Sequence, residues 1–182
     1  MYTFLNDKIL DEEGREIMMD WEINLMQEHA KIVTENGGNI LEIGFGMGIC
    51  SNFIQEANIN THTIIEINDQ IFEKLLEWAK DKPNVIPIKG DWFDSIPNKK
   101  YDGVMFDTWD EKNAHNFLPN IKLSLNKNGV VTFYNPQDKE ALKWNCRKWG
   151  TLTTKKINVN PPKNMYNKYF NQKIYYVPKL IL

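Results

Sequence analysis

The feature that most constrains the fold is a short apolar run that ends in three closely spaced glycines. Residues 39–48 read Asn-Ile-Leu-Glu-Ile-Gly-Phe-Gly-Met-Gly. The first half predicts a buried strand, interrupted only by Glu42. The Gly-x-Gly-x-Gly turn lets the backbone lie against a ligand, because glycine has no Cβ and tolerates positive φ. A helix is predicted from about Gly48 to Gln55, so its free N–H groups face whatever binds at the turn.

A second strand that ends in an acid follows this motif. Glu66 closes the apolar run of residues 62–66 and lies 18 positions after Gly48. In a strand–loop–helix–strand unit such an acid lies beside the glycine turn, where a carboxylate can accept hydrogen bonds from both hydroxyls of a ribose. The two stretches together predict a site for a nucleoside-containing ligand.

The spacing of the glycines distinguishes between nucleoside ligands. The dinucleotide fingerprint Gly-x-Gly-x-x-Gly would need glycine where this chain has Ile49. Glycine at position 48, with Glu42 ahead of the turn, instead resembles motif I of the class I S-adenosylmethionine-dependent methyltransferases. The alternatives are a nicotinamide or flavin enzyme, and a glycine-rich turn that binds no cofactor.

The composition indicates one soluble globular domain. The 182 residues are 42% hydrophobic and 25% charged, with a net charge of −2 and no long basic run. We therefore expect a single domain over residues 1–182 and no nucleic-acid partner. Cys50 and Cys146 predict reduced thiols. Without a membrane-spanning stretch or a signal peptide in this sequence, we expect a cytoplasmic protein, either a monomer or a homodimer.

The alternation of helical and strand patterns predicts the rest of the fold. A helix is predicted from Ile17 to Asn36, and another after an N-cap at Asn68. Further strands are predicted at residues 85–88, 101–107 and 130–134, a tight turn at 126–129, a short helix at about 137–148, and β-prone segments at 151–159 and 173–182. The last two segments predict an antiparallel hairpin at the sheet edge. We predict an α/β fold with a doubly wound, mostly parallel seven-stranded sheet and an antiparallel last strand.

Two further acids follow predicted strands. Asp91, next to Trp92, is placed to hydrogen-bond an adenine amino group while the aromatic ring stacks on the base, although Gly-Asp also makes turns. Asp107 ends the strand at 101–107. Ligands of open parallel sheets bind outside the carboxyl ends of the strands, so Asp107 is expected to converge with the glycine turn and Glu66. The alternative role of Asp107 is to cap the next helix.

Taken together, the motifs resemble a narrower family. The Met-Met-x-Trp-Glu element at residues 18–22, followed by Met26, is similar to guanidinoacetate N-methyltransferase, although spacing alone makes a Met-Trp stripe more typical of core. The resemblance continues at residues 64–69, 87–92 and 101–108. The related arginine methyltransferases that modify the δ-nitrogen share the same skeleton.

The resemblance implies methyl transfer from S-adenosylmethionine to a guanidino nitrogen, leaving S-adenosylhomocysteine. In the family two carboxylates hold the substrate guanidinium, and these roles correspond to Glu22 and Asp107. A guanidinium has a pKa above about 12 and is a poor nucleophile. Two carboxylates can grip its N–H groups, aim one nitrogen at the methyl group and remove its proton. We assign the base to Asp107 and the orienting role to Glu22, with the reverse as the alternative, and expect no metal.

By the same resemblance, cofactor contacts are expected along the whole motif. Met18 and Met26 would line the methionine end, Glu66 would hold the ribose, and Asn68, Asp91 and Trp92 would surround the adenine. Residues 1–36 would form an N-terminal lid segment and helix, with Trp21 and Glu22 over the methyl donor. The full predicted cofactor-binding set is Met18, Met26, Glu42, Gly44, Phe45, Gly46, Met47, Gly48, Ile49, Cys50, Ser51, Asn52, Glu66, Ile67, Asn68, Asp91, Trp92 and Asp107. The predicted substrate-binding set is Trp21, Glu22, Asp107 and Asn135.

The substrate end departs from the family pattern. The family holds a substrate carboxylate with backbone N–H groups and a hydroxyl just after the fifth strand, where this chain has Asn-Pro-Gln-Asp at residues 135–138 and Pro136 has no N–H. The acceptor is thus left open among guanidinoacetate, free arginine and an arginine-containing peptide. The connection at 161–170 is either a loop over the active site or a surface connection. A non-guanidino acceptor and a non-catalytic cofactor-binding partner protein are the competing functions.

Overall fold

The computed structural model describes residues 1–108, 113–166 and 170–182. Its strands are β1 (Thr3–Phe4), β2 (Lys8–Leu10), β3 (Glu16–Met19), β4 (Asn39–Ile43), β5 (Thr61–Glu66), β6 (Val85–Lys89), β7 (Tyr101–Phe106), β8 (Leu125–Phe133), β9 (Thr151–Asn158) and β10 (Ile174–Ile181). Its α-helices are α1 (Ile23–Val33), α2 (Ile49–Gln55), α3 (Asp69–Ala79), α4 (Trp92–Ser95), α5 (Asn113–Ile121) and α6 (Lys139–Cys146).

The main sheet has seven strands in the order β6-β5-β4-β7-β8-β10-β9. The first five in this order are parallel, and β10 is antiparallel to both β8 and β9. The predicted fold class and the predicted hairpin at the sheet edge are confirmed. Because β4, β5 and β7 run parallel, their carboxyl ends meet at one edge, which carries the glycine turn, Glu66 and Asp107.

Helices cover both faces of this sheet. On one face, α1 and α2 bury Leu25 and Ile54 against Ile40 of β4, and α3 packs beside them. On the other face, α4, α5 and α6 pack in a cluster that contains Leu41 and Val131. The two cysteines are free and buried, as predicted, and belong to different clusters. None of the described helices is long and apolar enough to cross a membrane.

The predicted helix from Ile17 to Asn36 is wrong in its first part. Residues 16–19 form β3, which pairs with β2 in a separate three-stranded antiparallel sheet of β1, β2 and β3. A three-residue 3-10 helix follows at Asp20–Glu22, and α1 begins only at Ile23. The Glu22 carboxylate accepts the Met19 N–H at 2.9 Å, which caps this turn and separates strand from helix. The segment predicted as a lid, called the lid below, thus carries Trp21 and Glu22 on a 3-10 helix instead of an α-helix.

The predicted tight turn at residues 126–129 lies inside β8. The strand continues through it as an irregularity, with Asn128 at φ 67° and a register shift between Tyr101 and Gly103 of β7. The short helix that follows is α6, capped by the Asp138 side chain, which accepts the N–H groups of residues 140 and 141.

Candidate active site

The glycine turn after β4 needs glycine for conformation and for space. Gly44 and Gly46 have φ of 87° and 53°, a region that other residues rarely adopt. A Cβ on Gly44 would lie 2.0 Å from the Asp107 carbonyl oxygen, and one on Gly46 would lie 2.5 Å from the Met18 sulfur. The turn is therefore held tightly between the β7 exit and the N-terminal lid.

Glu66 lies beside this turn. One carboxylate oxygen accepts the Phe45 N–H at 2.9 Å and the other accepts the Asn68 N–H at 2.7 Å. Burial raises the pKa of Glu66, and the backbone donors of Phe45 and Asn68 partly offset this rise. The acid at the end of β5 is thereby fixed against the glycine turn, in the position from which a carboxylate reaches a ribose in folds of this kind.

The polar side chains predicted near an adenine act as helix caps. Asn68 accepts the Ile71 N–H at 3.0 Å at the start of α3. Asp91 accepts the Phe93 N–H at 3.0 Å at the start of α4. Each cap uses one oxygen of its side chain, and caps of this type also fix the direction of the chain at the sheet edge.

The aromatic ring predicted to stack on the base is packed in the core. Trp92 is 7% exposed and lies edge-to-face on Phe106, with ring centroids 5.6 Å apart. Ile67 and Phe93 are instead 62% and 64% exposed, after β5 and at the start of α4. The predicted cofactor-binding set includes Ile67 but not Phe93, because no sequence motif marks Phe93.

The residues predicted for the methionine end share one apolar cluster. The Met18 sulfur accepts the Met47 N–H at 3.3 Å, so the lid is bonded directly to the glycine turn. The cluster contains, among others, Met18, Met26 and Cys50 as buried members and Trp21, Met47 and Ile49 as partly buried ones.

The remaining predicted cofactor residues make contacts within the protein. The buried carboxylate of Glu42 accepts the Ser51 hydroxyl at 2.7 Å and is paired with the His62 ring at 2.9 Å. Asn52 is exposed and accepts the Trp78 indole N–H at 2.7 Å. The Ser51–Glu42 hydrogen bond thus joins α2 to β4, the two elements on either side of the glycine turn. The Asn52 side chain is hydrogen-bonded to Trp78 on the exposed side of α2.

The two carboxylates predicted to hold the substrate are Glu22 and Asp107. Glu22 is only 3% exposed. Asp107 follows β7, and the burial of its carboxyl, then the negative charge of Glu42, raise its pKa to about 7, although the residue as a whole keeps partial exposure. Burial also raises the pKa of the Tyr175 phenol, and the charges of Asp107 and Glu22 raise it further. Both carboxylates therefore act on the pKa of the same phenol, although they are 85 positions apart in the chain.

A buried hydrogen-bonded chain behind this pair was not predicted from the sequence. The Tyr175 hydroxyl accepts the Asn135 N–H at 2.6 Å and lies 3.4 Å from His29 Nε2. The other ring nitrogen, Nδ1, lies 2.6 Å from the Thr132 hydroxyl, which donates to the Pro178 carbonyl at 2.5 Å. Since that hydroxyl proton is used, Nδ1 must donate and Nε2 is the acceptor. Burial lowers the pKa of His29 to about 3, so the ring is neutral.

The connection between β9 and β10 packs against the lid. Phe170 is buried and stacks on Trp21 with ring centroids 6.0 Å apart. The Tyr166 N–H donates to both carboxylate oxygens of Glu16 at 3.0 Å. Of the two interpretations of residues 161–170, the described part favours a loop against the site, while residues 167–169 lie outside the described residues.

The sheet order, with its antiparallel β10, and the glycine turn beside Glu66 define a Rossmann-like methyltransferase fold. A solved structure of N-methyltransferase NodS from Bradyrhizobium japonicum, in complex with S-adenosyl-L-homocysteine, has the same fold, with a TM-score of 0.66 and 12% identity over 88% of this chain and 87% of that chain. The family described as guanidinoacetate N-methyltransferase matches residues 4–158, and the chain belongs to this family. The family resemblance read from the sequence is confirmed.

Two relatives of the chain are named protein arginine N-methyltransferase 2. Protein arginine N-methyltransferase 2 of Candida glabrata is 29% identical over 97% of this chain and 50% of its own length. The protein of that name from Aspergillus oryzae is 38% identical over 108 residues, 58% of this chain and 26% of its own length. This chain therefore spans between a quarter and a half of the length of these relatives.

Proposed function

We propose that the protein transfers a methyl group from S-adenosylmethionine to a guanidino nitrogen of a small molecule or an arginine side chain. The observation that carries the proposal is that the charges of Glu22 and Asp107 both raise the pKa of the buried Tyr175 phenol, and that Asp107 adjoins the glycine turn, where a Cβ on Gly44 would lie 2.0 Å from its carbonyl oxygen. The names of the family and of the relatives support the same reaction class.

The residues at the carboxyl edge of the sheet fit this cofactor. Glu66 would accept the ribose hydroxyls, and Met18 and Met26 would line the apolar methionine end. The glycines carry no side chain, so the backbone of the turn is open to the cofactor. S-adenosylmethionine has no phosphate, so the N–H groups of the turn do not have to bind one. When bound, the cofactor supplies an electrophilic methyl group on a sulfonium.

The two carboxylates orient the guanidinium and remove one proton. Glu22 and Asp107 grip its N–H groups and aim one nitrogen at the methyl donor. As the new N–C bond forms, that nitrogen becomes acidic, and Asp107 accepts its proton. A carboxyl with a pKa of about 7 is well suited to this role, because a base works best with a pKa near the working pH.

A mass-spectrometric assay tests the proposal. The protein is incubated with S-adenosylmethionine and a panel of arginine peptides, free arginine, agmatine and guanidinoacetate. We expect the gain of a methyl group on at least one guanidine, and fragmentation locates the modified nitrogen. Calorimetric binding of S-adenosylhomocysteine without methylation of any guanidine would contradict the proposal and favour the non-catalytic alternative or another acceptor. Asp81→Asn, an exposed position after α3, is the matched control for variants of Asp107.

A further inference from the structure

We infer that this site rejects guanidines that carry a carboxylate close to the guanidino group, and that residues 135–137 determine this specificity. The inference rests on the proposed methyl transfer to a guanidino nitrogen. It narrows the substrate class to guanidines whose chain is uncharged near the reacting group, such as an arginine residue within a polypeptide or an alkylguanidine.

The exit of β8 lies directly beside Asp107. The Tyr134 N–H donates to the Phe106 carbonyl at 3.0 Å, so the two parallel strands leave the sheet side by side. The register pairs Phe106 with Phe133, so Tyr134 lies opposite Asp107 and Asn135 lies one residue further along, on a strand about 4.8 Å away. A short chain attached to a guanidine that is held by Asp107 must therefore pass close to residues 135–137.

Each of these three residues lacks a free backbone donor. The Asn135 N–H donates to the Tyr175 hydroxyl at 2.6 Å. Pro136 has no N–H. The Gln137 N–H donates to the Asn135 side-chain oxygen at 3.1 Å, and the Asn135 side-chain amide donates back to the Gln137 carbonyl at 3.0 Å. Backbone N–H groups are the neutral donors that hold anions in proteins, and here none of the three is available.

The charges around the site oppose a second anion. Among the buried Asp, Glu, His, Lys and Arg side chains that the structure describes, all are acids or histidines and none is a lysine or arginine: Asp11, Glu16, Glu22, His29, Glu42, His62 and Glu66. A substrate carboxylate at the β8 exit would find no free backbone donor from residues 135–137 and would lie near the charges of Glu22 and Asp107. A carboxamide of the same shape is uncharged, so Glu22 and Asp107 would not repel it.

The test compares two substrates that differ only in this group, guanidinoacetate and guanidinoacetamide. In the wild-type protein we expect kcat/KM for the amide to exceed that for the acid by at least about tenfold, the size of one lost charge-assisted hydrogen bond. Equal values, or a preference for guanidinoacetate, would overturn the inference while leaving the proposed function intact. Failure to methylate either compound or an arginine peptide would overturn both.

Two substitutions provide free backbone N–H groups within residues 135–137. Pro136→Ala adds an N–H, and Asn135→Ala frees the Gln137 N–H, so the double variant should narrow the amide-to-acid ratio by on the order of tenfold. Pro83→Ala, at an exposed position after α3, adds an N–H elsewhere and should leave the ratio unchanged. The ratio is measured within one protein sample, so partial loss of folded protein does not affect it. If the double variant does not fold, the wild-type ratio decides the question; an unchanged ratio in a folded double variant would refute the role of residues 135–137.

Discussion

We predict that Asp107 links the activity of the protein to its stability through one proton. Its pKa is raised from 3.8 to about 7, first by burial of the carboxyl and then by the charge of Glu42. A base must be ionised to work. About a tenth of a group with this pKa is ionised at pH 6 and about nine tenths at pH 8, so kcat/KM should rise about tenfold between these values.

The same shift predicts the stability of Asp107→Asn. A raised carboxyl pKa means that the folded state binds the proton more tightly, so stability is lost as the pH rises from about 4 to about 7. The full shift corresponds to about 4 kcal/mol, and since the residue keeps partial exposure we expect about 2 to 4 kcal/mol. Asparagine removes the buried charge, so the variant should be more stable than wild type by this amount at pH 8 and similar at about pH 4.

The assay combines a pH–rate profile with urea unfolding at both pH values. Asp107→Asn should bind S-adenosylhomocysteine normally and lose methylation by about a hundredfold or more, the usual contribution of a positioned base. Asp81→Asn should match wild type in both measurements. A flat profile between pH 6 and 8, or a variant that is inactive yet destabilised at pH 8, would refute the reasoning.

Three further predictions concern single side chains. Glu22→Gln should raise KM for the guanidine with little change in cofactor affinity, as measured by steady-state kinetics and calorimetry; an unchanged KM would contradict its orienting role. Glu66→Gln should weaken S-adenosylhomocysteine binding about tenfold or more, because a charged acceptor that also holds the Phe45 N–H is lost. Wild-type affinity in calorimetry would remove Glu66 from the ribose site. Thr132→Val leaves the buried His29 Nδ1 without its acceptor and should lower the free energy of unfolding by about 1 to 3 kcal/mol in urea titrations. No change would show that the ring finds another partner.

The sequence predicted β4, the glycine turn and β5 well, because each is marked by a local sequence pattern and a nucleoside-binding βαβ unit fixes the spacing between them. The run before Gly44 is apolar, the turn needs positive φ, and Glu66 follows at a distance that a βαβ unit dictates. The fold class followed from the alternation of helices and strands. At the N-terminus the same method failed, because β1 to β3 are two to four residues long and Met18 and Met26 fit a helical stripe equally well.

The predicted site residues at strand ends lie at one edge of the sheet, as the topology requires, whereas the sequence did not reveal contacts between residues far apart in the chain. Asp107 was found because parallel strands present their carboxyl ends at one edge. His29 and Tyr175 are separated by 146 positions, and nothing in the pattern of α1 distinguishes a buried, neutral histidine from a surface one. Trp92 was predicted to stack on a base because aromatic rings often do, but the local sequence does not tell which side of α4 faces the core.

The position of β10 sets an order of assembly in time. β9 comes first in the chain, yet it lies at the sheet edge and is paired with β10, which separates it from β8. The two strands are therefore expected to form a hairpin before that hairpin docks on β8, since β9 has no neighbour in the sheet until β10 is in place. Tyr175 lies on β10, so its hydrogen bond to Asn135 is expected to form only when the hairpin docks on β8. The predicted guanidine end depends on this bond, so we expect it to be completed only after the hairpin has docked.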